Sequence, residues 1–343
     1  MKALLYTGPG CFEYTDFPAP QPGDDDVLVR VKACGICGSD VHGATGKTGR
    51  RLPPLIMGHE AAGTVEKTGP NVRTFQKGDR VTFDSTVYCS RCEQCRAGRV
   101  NRCEERQVLG VAPPQFKRHG AMAEYVAVPW WIVAPIPDNM SFVQAALLEP
   151  VSIGVHAAGR APLCSDDTAV VIGTGTIGLF ILQAVRLRGP AKIIACDIDD
   201  FRLGLARRLG ADVTINPAKM DLACEILART GGKGAHVTYE AVGFESTFHD
   251  AIAVTRSGGH IVAVGNLTPE VRFNPQQLVA RELTIVGSYA SSGEFRDCID
   301  LVASGKIDVE PLISDVLPLS EGASAFKRLL DGRENLLKIV LEP

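Results

Sequence analysis

At 343 residues the chain is long enough for roughly two domains of ~150 residues each. With 45% hydrophobic and 22% charged residues it has the composition of a globular protein, and 36 basic against 39 acidic side chains leave a formal charge of −3, no basic surplus for nucleic acid. No apolar run approaches the ~20 residues that span a bilayer, and the N-terminal MKALLY reaches Gly8-Pro9-Gly10 too soon for a signal-peptide core. A cytosolic protein with neither membrane nor nucleic-acid partners is expected.

Residues 1–6 read as a first strand. Residues 27–33 alternate Val and Leu with Arg and Lys, and 61–68, 80–83 and 124–128 repeat that style between Gly- and Pro-rich turns, so the first ~150 residues read as mainly β. From about residue 151 short unbroken apolar runs at 168–172, 192–196, 235–240, 260–264 and 283–286 alternate with helical patterns at 176–188, 201–209 and 246–256. Strands that are apolar at consecutive positions are covered on both faces, which predicts a parallel sheet with crossover helices and an α/β class. The last ~50 residues add two helical stretches and a final strand at 337–341, expected to return toward the first domain.

The strand at 168–172 runs into Gly173-Thr174-Gly175-Thr176-Ile177-Gly178 and then a helix. In that setting the first glycine permits a tight turn, the second lets the backbone approach a pyrophosphate, and the third lets helix and strand pack closely. The N–H groups of Thr176, Ile177 and Gly178 open the helix and suit a phosphate. Asp197 ends the next strand, about twenty residues on, where a carboxylate accepts hydrogen bonds from ribose hydroxyls and repels a 2′-phosphate. This favours NAD. Arg202 pulls the other way, since a nearby Arg can receive a 2′-phosphate or stack on adenine.

Eleven cysteines are many for a reducing compartment, and four of them, Cys89, Cys92, Cys95 and Cys103, fall in one short segment. C-x2-C-x2-C-x7-C can close a tetrahedral zinc site with no open position, which makes it structural. A second set is dispersed: Cys37, Ser39 and His42, then His59 and Glu60, then Glu149. Cys37, His59 and a carboxylate would leave one zinc position for water or substrate, although each also reads as a satisfied polar residue, and spacing alone leaves the two readings open. Cys34 has hairpin spacing to Cys37 but sits in a strand pattern as a small core residue.

Cys37-Gly-Ser39-Asp40-Val-His42, Gly58-His59-Glu60, Gly78-Asp79-Arg80-Val81, the four-cysteine lobe, and Gly173 to Gly178 with Asp197 occur in the order seen in zinc-dependent medium-chain alcohol dehydrogenases. The resemblance covers essentially the whole chain, and the segment from Leu148 to His156 is similar to the polyol branch that includes sorbitol and xylitol dehydrogenases. It implies a GroES-like, mainly β catalytic domain at 1–150, with a structural-zinc lobe at about 86–106, completed by 288–343. A Rossmann doubly wound parallel sheet occupies 151–287, with the active site in the cleft between the domains.

The resemblance further implies that Cys37 and His59 are catalytic-zinc ligands, that Glu60 binds directly or through water, and that Glu149 can enter or leave the shell. Ser39 would pass the alcohol proton outward, with His42 continuing the relay. Val264, Gly265, Ser288 and Tyr289 match positions lining the nicotinamide. The expected cofactors are two zinc ions per chain and NAD, the expected partner a small-molecule alcohol, and the expected assembly a homodimer or homotetramer. Relatives in this branch commonly carry a substrate-contacting Arg after Gly287, whereas this chain reads Ser288-Tyr-Ala-Ser-Ser-Gly293. Threonine, butanediol and galactitol-phosphate dehydrogenases are the enzyme alternatives, and a zinc-folded dinucleotide-binding protein without turnover is the alternative of a different class. A phosphorylated substrate would need Lys47, Arg50 and Arg51, which otherwise read as a solvated loop.

Overall fold

The strand Asp26–Gly35 alternates buried and exposed positions through Ala33, then buries Cys34 and Gly35 as well. Its neighbour Glu60–Thr68 is buried continuously over its first four residues. The two pair antiparallel with Gly35 opposite Glu60, so the stretch where both strands lose their polar face is where they meet. A Cβ at Gly35 would collide with the Glu60 carboxylate, which is why glycine stands there.

These strands are central in a seven-stranded sheet ordered Val133–Pro135, Arg80–Phe83, Glu60–Thr68, Asp26–Gly35, Lys338–Glu342 and Ile313–Pro318, with Tyr125–Pro129 also on Asp26–Gly35. A three-stranded sheet joins Cys11–Asp16, Lys2–Gly8 and Leu55–Ile56. Leu4, Tyr6, Val29, Phe83, Met122 and Phe326 belong to the core between them. The computed structural model describes residues 1–113 and 115–343 and divides into two units. The first comprises Met1–Glu149, Phe295–Gly305 and Val309–Pro343, and the second Pro150–Glu294 and Lys306–Asp308. The C-terminal return thus begins at Phe295, later than the boundary expected at 288.

The second unit holds a six-stranded parallel sheet in the order Val213–Ile215, Lys192–Cys196, Thr168–Ile172, Ala235–Glu240, Thr255–Ala263 and Thr284–Gly287. In chain order this is 3-2-1-4-5-6, the doubly wound arrangement whose ligands bind beyond the carboxyl ends of the strands. The chain is therefore α/β, a mainly β unit with a Rossmann unit, as expected.

Elements that escaped the sequence reading include the strands Cys11–Asp16, Val213–Ile215 and Ile313–Pro318 and the helices Gly38–Ala44, Leu148–Ala158, Leu222–Arg229 and Pro275–Val279. The helix expected over 246–256 ends at Val254, where Thr255 turns its hydroxyl to Ala251 O and Thr238 and starts a strand paired to Ala235. Among the described residues no helix is long and apolar enough to cross a membrane.

Candidate metal and cofactor sites

In the lobe, the sulfurs of Cys89, Cys92, Cys95 and Cys103 all lie within 4.8 Å of one another. The Cys92 and Cys95 sulfurs are 3.5 Å apart and those of Cys89 and Cys95 3.9 Å, well beyond the ~2.05 Å of a disulfide. The backbone N–H of Cys89 donates to Cys103 Sγ and that of Cys92 to Cys89 Sγ, each at 3.3 Å. Backbone donors favour thiolates: those of Cys95 and Glu104 hold the Cys92 thiol down at about 6, while burial pushes the Cys95 thiol up to about 12. Four convergent sulfurs, with no fifth donor among the described residues, fit a closed tetrahedral zinc.

Cys37, His59 and Glu60 form the second converging set, again with one donor atom each within 4.8 Å. Cys37 caps the helix Gly38–Ala44, its sulfur accepting from Ser39 N at 3.4 Å and Ser39 Oγ at 3.3 Å. His59 and Glu60 arrive at the buried start of Glu60–Thr68. The imidazole Nδ1 of His59 lies 3.4 Å from Asp40 Oδ2, which leaves Nε2 as the donor nitrogen. Lys338, 2% exposed, donates to both Glu60 oxygens at 2.8 and 2.6 Å and to Ile36 O at 3.1 Å.

Glu149 stands outside the converging set, with Oε1 accepting from Ser85 Oγ at 2.7 Å. Burial, reinforced by Glu60 and Cys37, pushes its carboxyl up to about 8, and burial likewise pushes the Cys37 thiol up to about 11. A half-buried thiol, a buried imidazole and a buried carboxylate converging at one point are the donor chemistry of a divalent cation, whose charge offsets the cost of collecting them. The residues present therefore fit zinc with an open position.

Two expectations about neighbouring residues change. His42 is exposed, and among the described residues no hydrogen bond joins its ring to Ser39; the serine hydroxyl instead accepts from Arg51 Nη2 at 3.3 Å. Arg51 does not belong to a solvated loop. It is buried against Asp40, with which it makes an ion pair at 2.8 Å.

In the second unit Gly173 adopts φ +88°, and a Cβ at Gly178 would run into the Gly173 carbonyl. A Cβ at Gly175 would meet no protein atom within 4 Å, so that face is open to a ligand. Gly175 caps the helix Thr176–Leu187 without a side-chain hydrogen bond, which leaves the first N–H groups at Thr176, Ile177 and Gly178 to a phosphate. Asp197 is buried, its Oδ2 accepting from Thr174 N at 2.7 Å and Thr174 Oγ1 at 3.1 Å, its Oδ1 from Asp199 N at 3.0 Å. Arg202 is 3.6 Å from Asp199 Oδ2. Val264 and Gly265 donate to Glu240 O at 2.9 and 3.0 Å, and Ser288 N donates to Ala263 O at 2.9 Å, with Tyr289 exposed beyond it. These groups belong to the carboxyl ends of the parallel strands, so the residues fit a dinucleotide.

Sequence reading gave no site role to Asp40, Ser85, Thr174 or Lys338 and placed Arg51 in a solvated loop, yet each contacts a named site residue.

A mainly β unit with a Cys, His and Glu cluster, together with a Rossmann unit, defines a metal-dependent oxidoreductase. Residues 23–138 match the alcohol dehydrogenase GroES-like domain, and residues 176–304 match the zinc-binding dehydrogenase domain. The chain is 34% identical over 347 residues to sorbitol dehydrogenase of Bacillus subtilis (strain 168), covering 100% of this chain and 97% of that protein. It is 37% identical over 311 residues to L-idonate 5-dehydrogenase of Vitis vinifera, covering 88% of this chain and 83% of that protein. Galactitol-1-phosphate dehydrogenase from Escherichia coli superposes with a TM-score of 0.92 at 26% identity, covering 100% of each chain. The chain belongs to the zinc-binding alcohol dehydrogenase family and is a zinc-dependent, NAD-linked enzyme.

Proposed function

We propose that the chain oxidises a secondary hydroxyl of a neutral polyol, a pentitol, hexitol or similar vicinal diol, to the ketone or ketose. The observation that carries this reading is the convergence of Cys37, His59 and Glu60 within 4.8 Å beside the hydroxyl of Ser39. Cys37 and His59 would hold the catalytic zinc, with Glu60 binding directly or through water, and Glu149, tethered by Ser85, could enter or leave the shell. Zinc bound there supplies Lewis-acid polarisation of the alcohol oxygen. Ser39 Oγ would accept the alcohol proton as its own proton passes outward to solvent, and bound NAD would supply the hydride acceptor. Gly173, Gly175 and Gly178 seat the pyrophosphate, Asp197 the ribose, and Val264, Gly265, Ser288 and Tyr289 border the nicotinamide.

Charge supports a neutral substrate. Of the basic candidates for a substrate phosphate, Arg51 is committed to Asp40, and the stretch 288–293 contains no Arg to clamp an amino-acid carboxylate. The test is cofactor reduction with a panel of neutral polyols, butanediol, threonine and sugar-alcohol phosphates. A neutral polyol should show the highest kcat/KM; threonine or a phosphate more than tenfold above every neutral polyol would overturn the substrate while leaving the zinc dehydrogenase intact.

We infer a homo-oligomer built through the edge strand Thr284–Gly287. The strand pairs on one side only, and Val279 before it is 77% exposed. A second copy pairing across a two-fold axis would continue the sheet and cover both; a monomer in light scattering would overturn this. Four cysteines gathered as a metal site, in place of a disulfide framework, support the cytosol as its location, and secretion of the enzyme with oxidised cysteines would contradict it.

A further inference from the structure

We infer that Arg51 is a positioning residue for the catalytic zinc site, setting the His59 imidazole through Asp40 and the Ser39 hydroxyl directly; the inference rests on the zinc and Ser39 reading above. One guanidinium serves both. Nε and Nη2 donate to Asp40 Oδ1 at 3.1 and 2.8 Å, and Nη2 also donates to Ser39 Oγ at 3.3 Å. With Oδ1 taken by arginine, the other oxygen, Oδ2, is turned to His59 Nδ1 at 3.4 Å. At that distance the two face each other without closing a hydrogen bond, and among the described residues neither atom has a hydrogen-bond partner.

Asp40 is fully buried and Arg51 almost so, and a pair removed from water on both sides costs too much to keep unless its geometry is used. The fold makes room for it specifically. A Cβ at Gly43, one helical turn beyond Ser39, would come within 2.5 Å of Arg51 Cγ. A carboxylate facing the distal nitrogen of a ligating histidine fixes its tautomer and ring orientation, and losing such a partner commonly costs 10–100-fold in metal affinity. Arg51 stands one step further out and locks that carboxylate. Its second donation fills a lone pair of Ser39 Oγ and leaves the serine proton directed at Cys37 Sγ.

Lysine in place of Arg51 keeps the charge opposite Asp40 but has no planar fork to reach Ser39 at the same time. Zinc retention and turnover should therefore separate. Wild type, R51K, R51M, G43A and C37S are loaded with zinc, challenged with a chelator and assayed for zinc remaining, with the four-cysteine lobe as an internal control. R51M and G43A should release one equivalent at least tenfold faster than wild type while the lobe keeps its zinc. R51K should stay within about threefold of wild-type release, yet lose tenfold or more in kcat with unchanged affinity for NAD.

Wild-type release and kcat within twofold in both R51K and G43A would overturn the inference, and those two variants decide the matter if R51M fails to fold. Loss of both equivalents together in the folded variants would also overturn it, because that is general destabilisation. C37S separates the two levels: if it keeps both zinc ions, the zinc-site reading itself fails, whereas zinc loss in C37S alone refutes only the role of Arg51.

Discussion

Lys338 and Glu60, 278 positions apart in sequence, form a buried ion pair in which the lysine Nζ donates to both carboxylate oxygens. Strand pairing brings them together. Val340 lies opposite Gly35 and Gly35 opposite Glu60, so the last strand of the chain delivers its only lysine to the metal-site carboxylate. Breaking such a pair by removing one partner leaves a buried charge uncompensated. K338M should lower the unfolding free energy by about 3–5 kcal/mol in urea titrations. A loss under about 1 kcal/mol would mean that Glu60 finds another partner at no cost.

Asp197 does two jobs that one substitution will remove together. Its carboxylate holds Thr174 N and Oγ1 in the glycine loop and Asp199 N at the next helix, so its position is fixed before any cofactor arrives. D197A should lower kcat/KM for NAD and relieve repulsion of a 2′-phosphate, shifting the NAD to NADP ratio by tenfold or more, roughly 1.4 kcal/mol. Because the glycine loop loosens as well, the shift should come mainly from lost NAD activity. A wild type that prefers NADP would show that Arg202 governs the choice.

The glycine motif, the strand-ending acid and the four-cysteine lobe were legible because each is local, a few residues with a fixed offset and a known geometric demand. Cys37, His59 and Glu60 needed the family resemblance, since the register that gathers them is set by pairing between strands distant in sequence. Lys338 was invisible for the same reason. Arg51 reads as part of a solvated loop because a charged side chain on a Gly-rich segment is ordinarily exposed; only its packing against Gly43, where a Cβ would collide with it, and the buried Asp40 reverse that. Val213–Ile215 was missed because a three-residue edge strand is too short to show periodicity.

Two zinc ions per chain are expected in freshly purified, active enzyme, one for each converging donor set. C103S should lose one ion along with stability, since Cys103 is fully buried and Val87 is the one other buried hydrophobic residue among those described at 86–106, too little to replace the metal as the lobe's core. C37S should lose the other ion along with activity and keep most of its stability, because the surrounding sheet is held by the apolar core that includes Val29 and Phe83. Elemental analysis finding one ion or fewer in active wild type would sink this reading.

His156 Nδ1 and Glu294 Oε1 lie 2.8 Å apart, and Ser292 N donates to the other Glu294 oxygen. Burial alone would raise this carboxyl, but the hydrogen bond from His156 and the backbone donors outweigh it and hold Glu294 below the ordinary glutamate range. A depressed folded value means that the unfolded chain binds the proton more tightly. The pair therefore stabilises the fold at pH above the unfolded glutamate value of about 4.3, and that contribution fades as pH falls through the lower folded value. E294Q removes the titration. The stability gap between wild type and E294Q should be constant from about pH 5 to 5.5 and should close progressively below about pH 4.3. Denaturant midpoints measured across that range decide it; a gap that stays the same down to pH 3 would show that Glu294 contributes packing and no charge.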